Sequence, residues 1–186
     1  MKDFVRGDLQ FSLCGLKCCL CPMKLDGYCP GCGGGAGNQT CAIARCSLDH
    51  GGPAYCVQCP DNPCGRYEGI DEYDSFVTHQ CRKNDLERLG WAGPEVFHQE
   101  LADRERILRR LLAHYNDGRK KTLFSLAANL LDLEELAAAM ERIEAEAGPA
   151  MAEKERAALA ACVLKDGALR QGVELKLKKK PAKKRQ

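Results

Sequence analysis

The feature that most constrains this chain is the crowding of its cysteines into the first half of the sequence. Twelve of the 13 cysteines lie within residues 14–81, and only Cys162 lies beyond them. In a secreted protein this content predicts a disulfide framework. The amino terminus, however, is charged throughout and lacks the apolar stretch of a signal peptide, so we expect a cytoplasmic protein with reduced thiols. Clustered thiols in a reducing compartment indicate metal or redox chemistry.

Residues 26–64 contain too few large apolar side chains to fold around a hydrophobic core of their own. These 39 residues include eight glycines, four prolines and seven cysteines. Ordering such a segment costs conformational entropy that its few apolar side chains cannot offset. Metal–thiolate bonds can supply folding free energy instead. We therefore expect the cysteines to stabilise this part of the fold by binding metal.

The spacing of the cysteines is typical of thiolate metal sites. Cys29–Cys32 and Cys56–Cys59 are two C-x-x-C pairs separated by 23 residues. Two thiolates three residues apart can bind the same ion, and the Pro and Gly between the first pair favour the tight turn that this requires. Tetrahedral thiolate sites suit zinc, which is the metal we predict, and they also suit iron–sulfur clusters.

The iron–sulfur alternative rests on Cys14, Cys18 and Cys21 near the start of the chain. Cys14, Cys18 and Cys21 form C-x-x-x-C-x-x-C, which could provide three of the four ligands of a cubane cluster. The same spacing occurs in radical S-adenosylmethionine enzymes. Those enzymes need a large α/β barrel after the motif, whereas C-x-x-C pairs and helical segments follow here, so we do not favour that class.

The order of the cysteine motifs resembles a known prokaryotic family. The pattern is Cys14-Gly-Leu-Lys-Cys18-x-x-Cys21-Pro22, then Cys29-x-x-Cys32, Cys41-x-Ile43-x-x-Cys46, and Tyr55-Cys56-x-x-Cys59-x-x-x-Pro63-Cys64. It resembles the cysteine-rich family called domain of unknown function 3795, whose members are described as zinc-binding proteins without an established activity. The resemblance implies zinc and ten metal ligands: Cys14, Cys18, Cys21, Cys29, Cys32, Cys41, Cys46, Cys56, Cys59 and Cys64. Cys19 and Cys81 lie outside the pattern.

Ten thiolates are more than two four-ligand sites require. The remaining two could form a redox pair, bridge two metals, or join a histidine in a third site. His50, four residues after Cys46, is the first candidate histidine, and His79, two residues before Cys81, is the second. The alternative role for His50 is to stabilise a turn.

The fold class that we predict is α+β, mostly α. It consists of a cysteine-rich metal-knuckle module at residues 1–70, a helical domain at 71–172, and a short terminal strand with a disordered basic tail at 173–186. Apolar residues at helical spacing predict helices at 94–116, 119–131, 132–147 and 151–170. Alternating apolar residues predict short strands at 9–13 and 173–177, which could pair with each other.

Three local predictions accompany this fold. Asp132 and Glu135 resemble a capping box at the start of a helix. Trp91 and Phe97 are expected in the core. The acidic cluster of Asp71, Glu72 and Asp74 could bind a cation, pair with Arg82, or form an exposed loop.

The sequence offers limited support for nucleic-acid or membrane binding. Residues 176–186 hold seven Lys or Arg and no acidic residue, so the tail could make weak contacts with nucleic acid or an anionic surface, or simply be solvated. No apolar run approaches the ~20 residues of a membrane span. We therefore expect a cytoplasmic zinc-binding protein with an interaction or accessory role and an unknown protein partner, rather than an enzyme. The alternative is an iron–sulfur or thiol-redox protein that acts in electron transfer or as a maturation factor.

Overall fold

The chain folds mainly into helices, as shown by a computed structural model that describes residues 4–35 and 41–181. Within these residues the α-helices are α1 (Pro22–Leu25), α2 (Ala42–Asp49), α3 (Arg82–Ala92), α4 (Pro94–His114), α5 (Lys121–Leu130), α6 (Leu133–Glu146) and α7 (Glu153–Arg170). Short 3₁₀ turns occur at Cys18–Leu20, Cys56–Gln58 and Gly65–Tyr67. The prediction of a mostly helical chain is therefore confirmed.

The four helices that we predicted from apolar periodicity are α4 to α7. Helix α4 begins at Pro94, where the missing N–H removes no helical hydrogen bond. Helix α6 begins directly after Asp132, as predicted, but the capping box does not form. Asp132 instead accepts a hydrogen bond from the Gln171 amide at 3.0 Å, and Glu135 pairs with Arg170. These side chains connect the start of α6 to the end of α7.

The terminal strand is not confirmed, and the described residues contain no β-sheet. Residues 9–13 form only a single antiparallel bridge, between Phe11 and Lys17. Residues 173–181 are irregular and contact the loop before α3: the backbone N–H of Asp74 donates to the carbonyl of Lys178, and the N–H of Lys178 donates to the Asp74 carboxylate, both at 2.8 Å. Within the described residues, the two predicted strands do not pair with each other.

One hydrophobic core runs through the cysteine-rich part and the helices. Phe11 from the amino-terminal segment packs on Phe97 of α4, with ring centroids 4.7 Å apart. The same core includes Leu20 and, from α5, Phe124. The domain boundary that we place at residue 70 stays a prediction, and the core is continuous across it.

The two aromatic residues expected in the core have different positions. Phe97 is buried, as predicted. Trp91 is 72% exposed in the last turn of α3, where the Arg88 guanidinium lies over its ring at 4.8 Å, so that prediction was wrong. A cation over the indole face stabilises the ring at the surface.

A buried ion pair connects residues 14–21, which we call the first cysteine loop, to the helices. The Lys17 ammonium lies 3.0 Å from the Asp85 carboxylate of α3 and donates to the carbonyl of Asn129 in α5 at 3.1 Å. Burial raises the pKa of Asp85, and Lys17 only partly opposes this effect. None of the helices in the described ranges is both long and apolar enough to cross a membrane.

Candidate metal centre

The structure brings the ten predicted ligands into one region of the molecule, and all thirteen cysteines are free thiols. The charge of a neighbouring thiolate raises the pKa of several of them, which identifies the sulfurs that lie near each other. For Cys18 these neighbours are Cys32, Cys14 and Cys21. Cys29 is a neighbour of Cys21. The cysteines of the first motif and of the first C-x-x-C pair thus lie in the same part of the fold.

Cys14 lies where the two halves of the cysteine-rich segment meet. The thiolates of Cys32 and Cys41 raise the pKa of Cys14, and the thiolate of Cys14 in turn raises the pKa of Cys56. Glycines allow the chain to fold this closely: Gly31 has a φ of +96°, and a Cβ there would lie 2.7 Å from the carbonyl oxygen of Leu9.

Burial is the main cause of the pKa shifts of Cys18 and Cys14. It raises the pKa of Cys18 to about 12, although the backbone N–H of Cys32 opposes the shift. It also raises the pKa of Cys14, against which the Arg82 guanidinium acts. Without a cation these sulfurs therefore hold their protons near neutral pH. A metal ion reverses this preference, because it binds thiolates and displaces protons.

The other four predicted ligands surround one small cavity. Cys46 from α2 and Cys56, Cys59 and Cys64 from the following turns line a space of about 20 Å³. A space of about 10–15 Å³ holds a single water molecule, so this cavity accommodates one occupant of atomic size. Four thiolates around one ion are the ligand set of a closed structural zinc site. We call these four residues the second thiol group.

Tyr67 connects the second thiol group to Cys14. Its hydroxyl donates to the carbonyl oxygen of Cys14 at 3.3 Å and lies beside the Cys56 thiol, whose pKa this polar neighbour lowers. Burial has the largest effect, and together with the thiolates of Cys14, Cys64 and Cys59 it raises the pKa of Cys56 to about 11.

His50 lines the same cavity but both of its ring nitrogens already have partners. Nδ1 lies 2.7 Å from the carbonyl oxygen of Cys46 and 3.6 Å from its sulfur, and Nε2 lies 3.0 Å from the Asp61 carboxylate. The hydrogen bond to the Cys46 carbonyl is the main cause that raises the pKa of His50. The imidazole therefore holds the carboxyl end of α2 in place beside the thiols.

The remaining candidates have separate surroundings. Cys19 is 1% exposed within the hydrophobic core, where burial raises its pKa to about 12. The thiol of Cys81 contacts the carbonyl of Asn129, whereas the His79 ring lies 3.0 Å from the hydroxyl of Ser75. Cys162 is exposed on α7. The structure thus gives His79 and Cys81 different partners.

Arg82, at the start of α3, lies against the sulfur of Cys14. Its side chain is 3% exposed, Nη1 donates to that sulfur at 3.6 Å, and Nε lies 2.9 Å from the Asp71 carboxylate. Of the three roles suggested for the acidic cluster, the structure therefore shows pairing with Arg82, which Asp71 provides. No pattern in the sequence indicates that Arg82 also contacts a cysteine 68 residues earlier, or that Tyr67 contacts the same cysteine across 53 residues.

The sulfurs lie in one region of the molecule, but they do not meet around a common point. Across residues 4–35 and 41–181, no three His, Cys, Asp or Glu side chains are close enough together to hold a metal ion as they stand. Binding a metal ion would therefore require the cysteine side chains to rotate toward a common point. The donor set fits the metal well, because sulfur is the preferred ligand of zinc in structural sites.

Comparisons of this chain with protein-family models, with curated proteins and with solved structures find no match. The resemblance in cysteine pattern therefore stays a prediction.

Proposed function

We propose that this chain is a thiolate metal-binding protein in which zinc stabilises the cysteine-rich segment and the surface serves an interaction or accessory role. The ten ligands are those of the sequence pattern, and each closed site takes four sulfurs. When bound, zinc supplies cross-links between chain segments and no redox chemistry. The compartment that suits reduced, metal-free thiols before loading is the cytoplasm.

The observation that carries this proposal is the cavity of the second thiol group. Four of the predicted ligands, from two separate segments, are among the residues that line a space for one occupant, and all four are free thiols. A cavity lined by apolar groups alone would offer an ion nothing, and a disulfide framework would have consumed the thiols. The cavity supports treating Cys46, Cys56, Cys59 and Cys64 as one ligand set, a grouping that the sequence spacing alone does not make.

The alternative is an iron–sulfur or thiol-redox protein. It is favoured by the contact between Arg82 and Cys14, because hydrogen bonds to ligand sulfurs are one means by which proteins adjust cluster potentials. Cys14, Cys18 and Cys21 would then hold the cluster. For both the zinc protein and the iron–sulfur or thiol-redox protein, the proposed partner is another protein. The basic residues from 176 onward are available for weak contact with nucleic acid or an anionic surface.

Metal analysis of protein purified without oxygen tests the proposal. We expect at least two zinc ions per chain and no visible absorption. Cys56→Ser should lose zinc, because it removes one of the four sulfurs at the cavity, while Cys162→Ser should retain the full content. Mass spectrometry of metals, an assay for acid-labile sulfide and a visible spectrum provide the measurement.

Each outcome of this experiment decides between the proposals. Iron with acid-labile sulfide would establish the alternative. A chain that stays free of both metals after growth and purification with zinc supplied would overturn both. Equal zinc loss in Cys56→Ser and Cys162→Ser would show that zinc binds elsewhere than in the second thiol group.

A further inference from the structure

Arg82 is a buried cation that the helical fold alone does not explain. Its side chain is 3% exposed, and guanidinium groups keep their charge in proteins. A buried charge without compensation costs several kcal/mol, so an anion is required nearby. The residues around this guanidinium therefore indicate what it binds.

Asp71 satisfies Arg82 only in part. The carboxylate is 2.9 Å from Nε and is 26% exposed. The N–H is not directed at the oxygen, however, and neither Nε nor that oxygen has a hydrogen-bond partner among residues 4–35 and 41–181. Within the same residues, the one side chain that accepts a hydrogen bond from this guanidinium is Cys14, through Nη1.

The backbone enforces the approach of Arg82 to Cys14. Gly15 has a φ of +98°, and a Cβ there would lie 2.5 Å from the carbonyl oxygen of Arg82 and 2.9 Å from its Cγ. Only a residue without a side chain lets the first turn of α3 come this near. Tyr67 holds the carbonyl of Cys14 from the other side. The guanidinium and the sulfur are thus held together by rigid neighbours.

A thiolate metal site needs a cation in this position. Zinc with four thiolates carries a net charge of −2, and the sulfurs here lie in surroundings that penalise charge. Hydrogen bonds and charges behind the ligands orient them and adjust the affinity for the metal.

We infer that Arg82 is a positioning residue of the metal centre: its buried positive charge offsets the negative charge of the bound thiolates, and its Nη1–H donor orients the sulfur of Cys14 as a ligand. This inference rests on the proposed function. It gives α3, which carries none of the ten ligands, a role in metal binding through Cys14.

Cobalt titration tests the inference, because Co²⁺ alone serves as the probe and its absorption reports the number of bound thiolates. We expect Arg82→Gln to weaken Co²⁺ binding about 10–100-fold, the range typical of residues behind metal ligands, and to reduce the thiolate-to-cobalt absorption. Arg82→Lys, which keeps the charge, should recover most of the affinity. Asp71→Asn should keep the native affinity, since the contact with Cys14 persists.

A double variant separates this role from general packing. If Arg82 acts in part by orienting Cys14, Arg82→Gln should reduce cobalt absorption much less in a Cys14→Ser background than in the native chain, because only the effect of its charge remains. Gly15→Ala keeps both groups but pushes them apart, and should reproduce part of the loss even if Arg82→Gln does not fold. Circular dichroism verifies that each variant retains its helices.

The failures of the two proposals differ. If the native chain binds no Co²⁺ and no Zn²⁺, the proposed function is wrong. If it binds Co²⁺ and both Arg82→Gln and Gly15→Ala bind within threefold of it, only the inference about Arg82 is overturned. Equal losses in Arg82→Gln and Asp71→Asn would also overturn it, because the effect would then come from the ion pair alone.

Discussion

Gly15 shows how strongly a single residue in the cysteine-rich segment is constrained. It stands between Cys14 and the rest of the first cysteine loop, and it has both a left-handed backbone and a direct backbone contact with α3. Gly27 has a similar φ of +78°, but no other atom lies within 4 Å of where its Cβ would be. Substitutions at these two glycines therefore distinguish the cost of a left-handed backbone from the cost of a steric clash.

We expect Gly15→Ala to destabilise the protein much more than Gly27→Ala. Alanine in a left-handed conformation costs about 1–2 kcal/mol, which applies to both positions. At Gly15 the added methyl group also overlaps a carbonyl oxygen, and overpacking costs a further 1–3 kcal/mol, roughly. Urea denaturation of the two variants beside the native chain measures the difference. Equal losses would mean that α3 does not pack on Gly15 as described.

At the scale of elements, periodicity predicted the helices that build the core, and its failures have local causes. Helices α4 to α7 bury one apolar stripe each, which leaves a clear pattern in the sequence. Helix α2 escaped prediction because its eight residues include only one large buried apolar side chain, Ile43. The alternation at 173–177 resembled a strand, but an extended chain pairs only where a partner strand is free, and residues 9–13 turn back on Lys17 instead.

Single and double substitutions should show that the connection between the first cysteine loop and α3 depends on a buried ion pair. Removing one partner, as in Asp85→Ala, leaves the Lys17 ammonium buried without its counterion and should cost about 3–5 kcal/mol. Replacing both, as in Lys17→Met with Asp85→Leu, should cost much less, because burial already disfavours the Asp85 carboxylate. Chemical denaturation of the zinc-loaded variants measures both values.

The matched control for this ion pair lies on the surface of α6. Arg142 and Glu146 form an exposed pair one turn apart, and Glu146→Ala should change the free energy of unfolding by less than about 0.5 kcal/mol. If Asp85→Ala were as mild as Glu146→Ala, the Lys17 loop would be attached to the helices by other contacts.

At the scale of the whole molecule, the sequence marks candidate ligands but does not reveal how the fold arranges them. Spacing and family resemblance marked ten cysteines, because ligand pairs leave a local pattern. The grouping of Cys46 with Cys56, Cys59 and Cys64 depends on how α2 folds back over the later turns, which no spacing reveals. Arg82 was missed for the same reason: its contact with Cys14 is created by packing of the helices on the cysteine-rich segment.

Metal removal should therefore loosen one part of the molecule and leave the other folded. The cysteine-rich segment shares the core through Phe11 and Leu20, yet residues 41–64 contribute few apolar side chains of their own, so this part depends on metal–thiolate bonds for much of its stability. Helices α4 to α7 pack mainly on each other. Chelation under reducing conditions should thus speed amide hydrogen exchange in residues 14–35 and 41–64 and leave most amides of α4 to α7 protected.

Restoring zinc provides the control for this experiment, because it should return the protection of the same amides, whereas magnesium, which prefers oxygen ligands, should not. Cys59→Ser should resemble the chelated protein, and Cys162→Ser the zinc-loaded one. If chelation left exchange unchanged throughout, hydrophobic packing alone would hold the cysteine-rich segment, and zinc would have no structural role. If α4 to α7 lost protection to the same extent, the chain would unfold as one unit, and the stability supplied by metal would extend through Phe97 and the shared core to every helix.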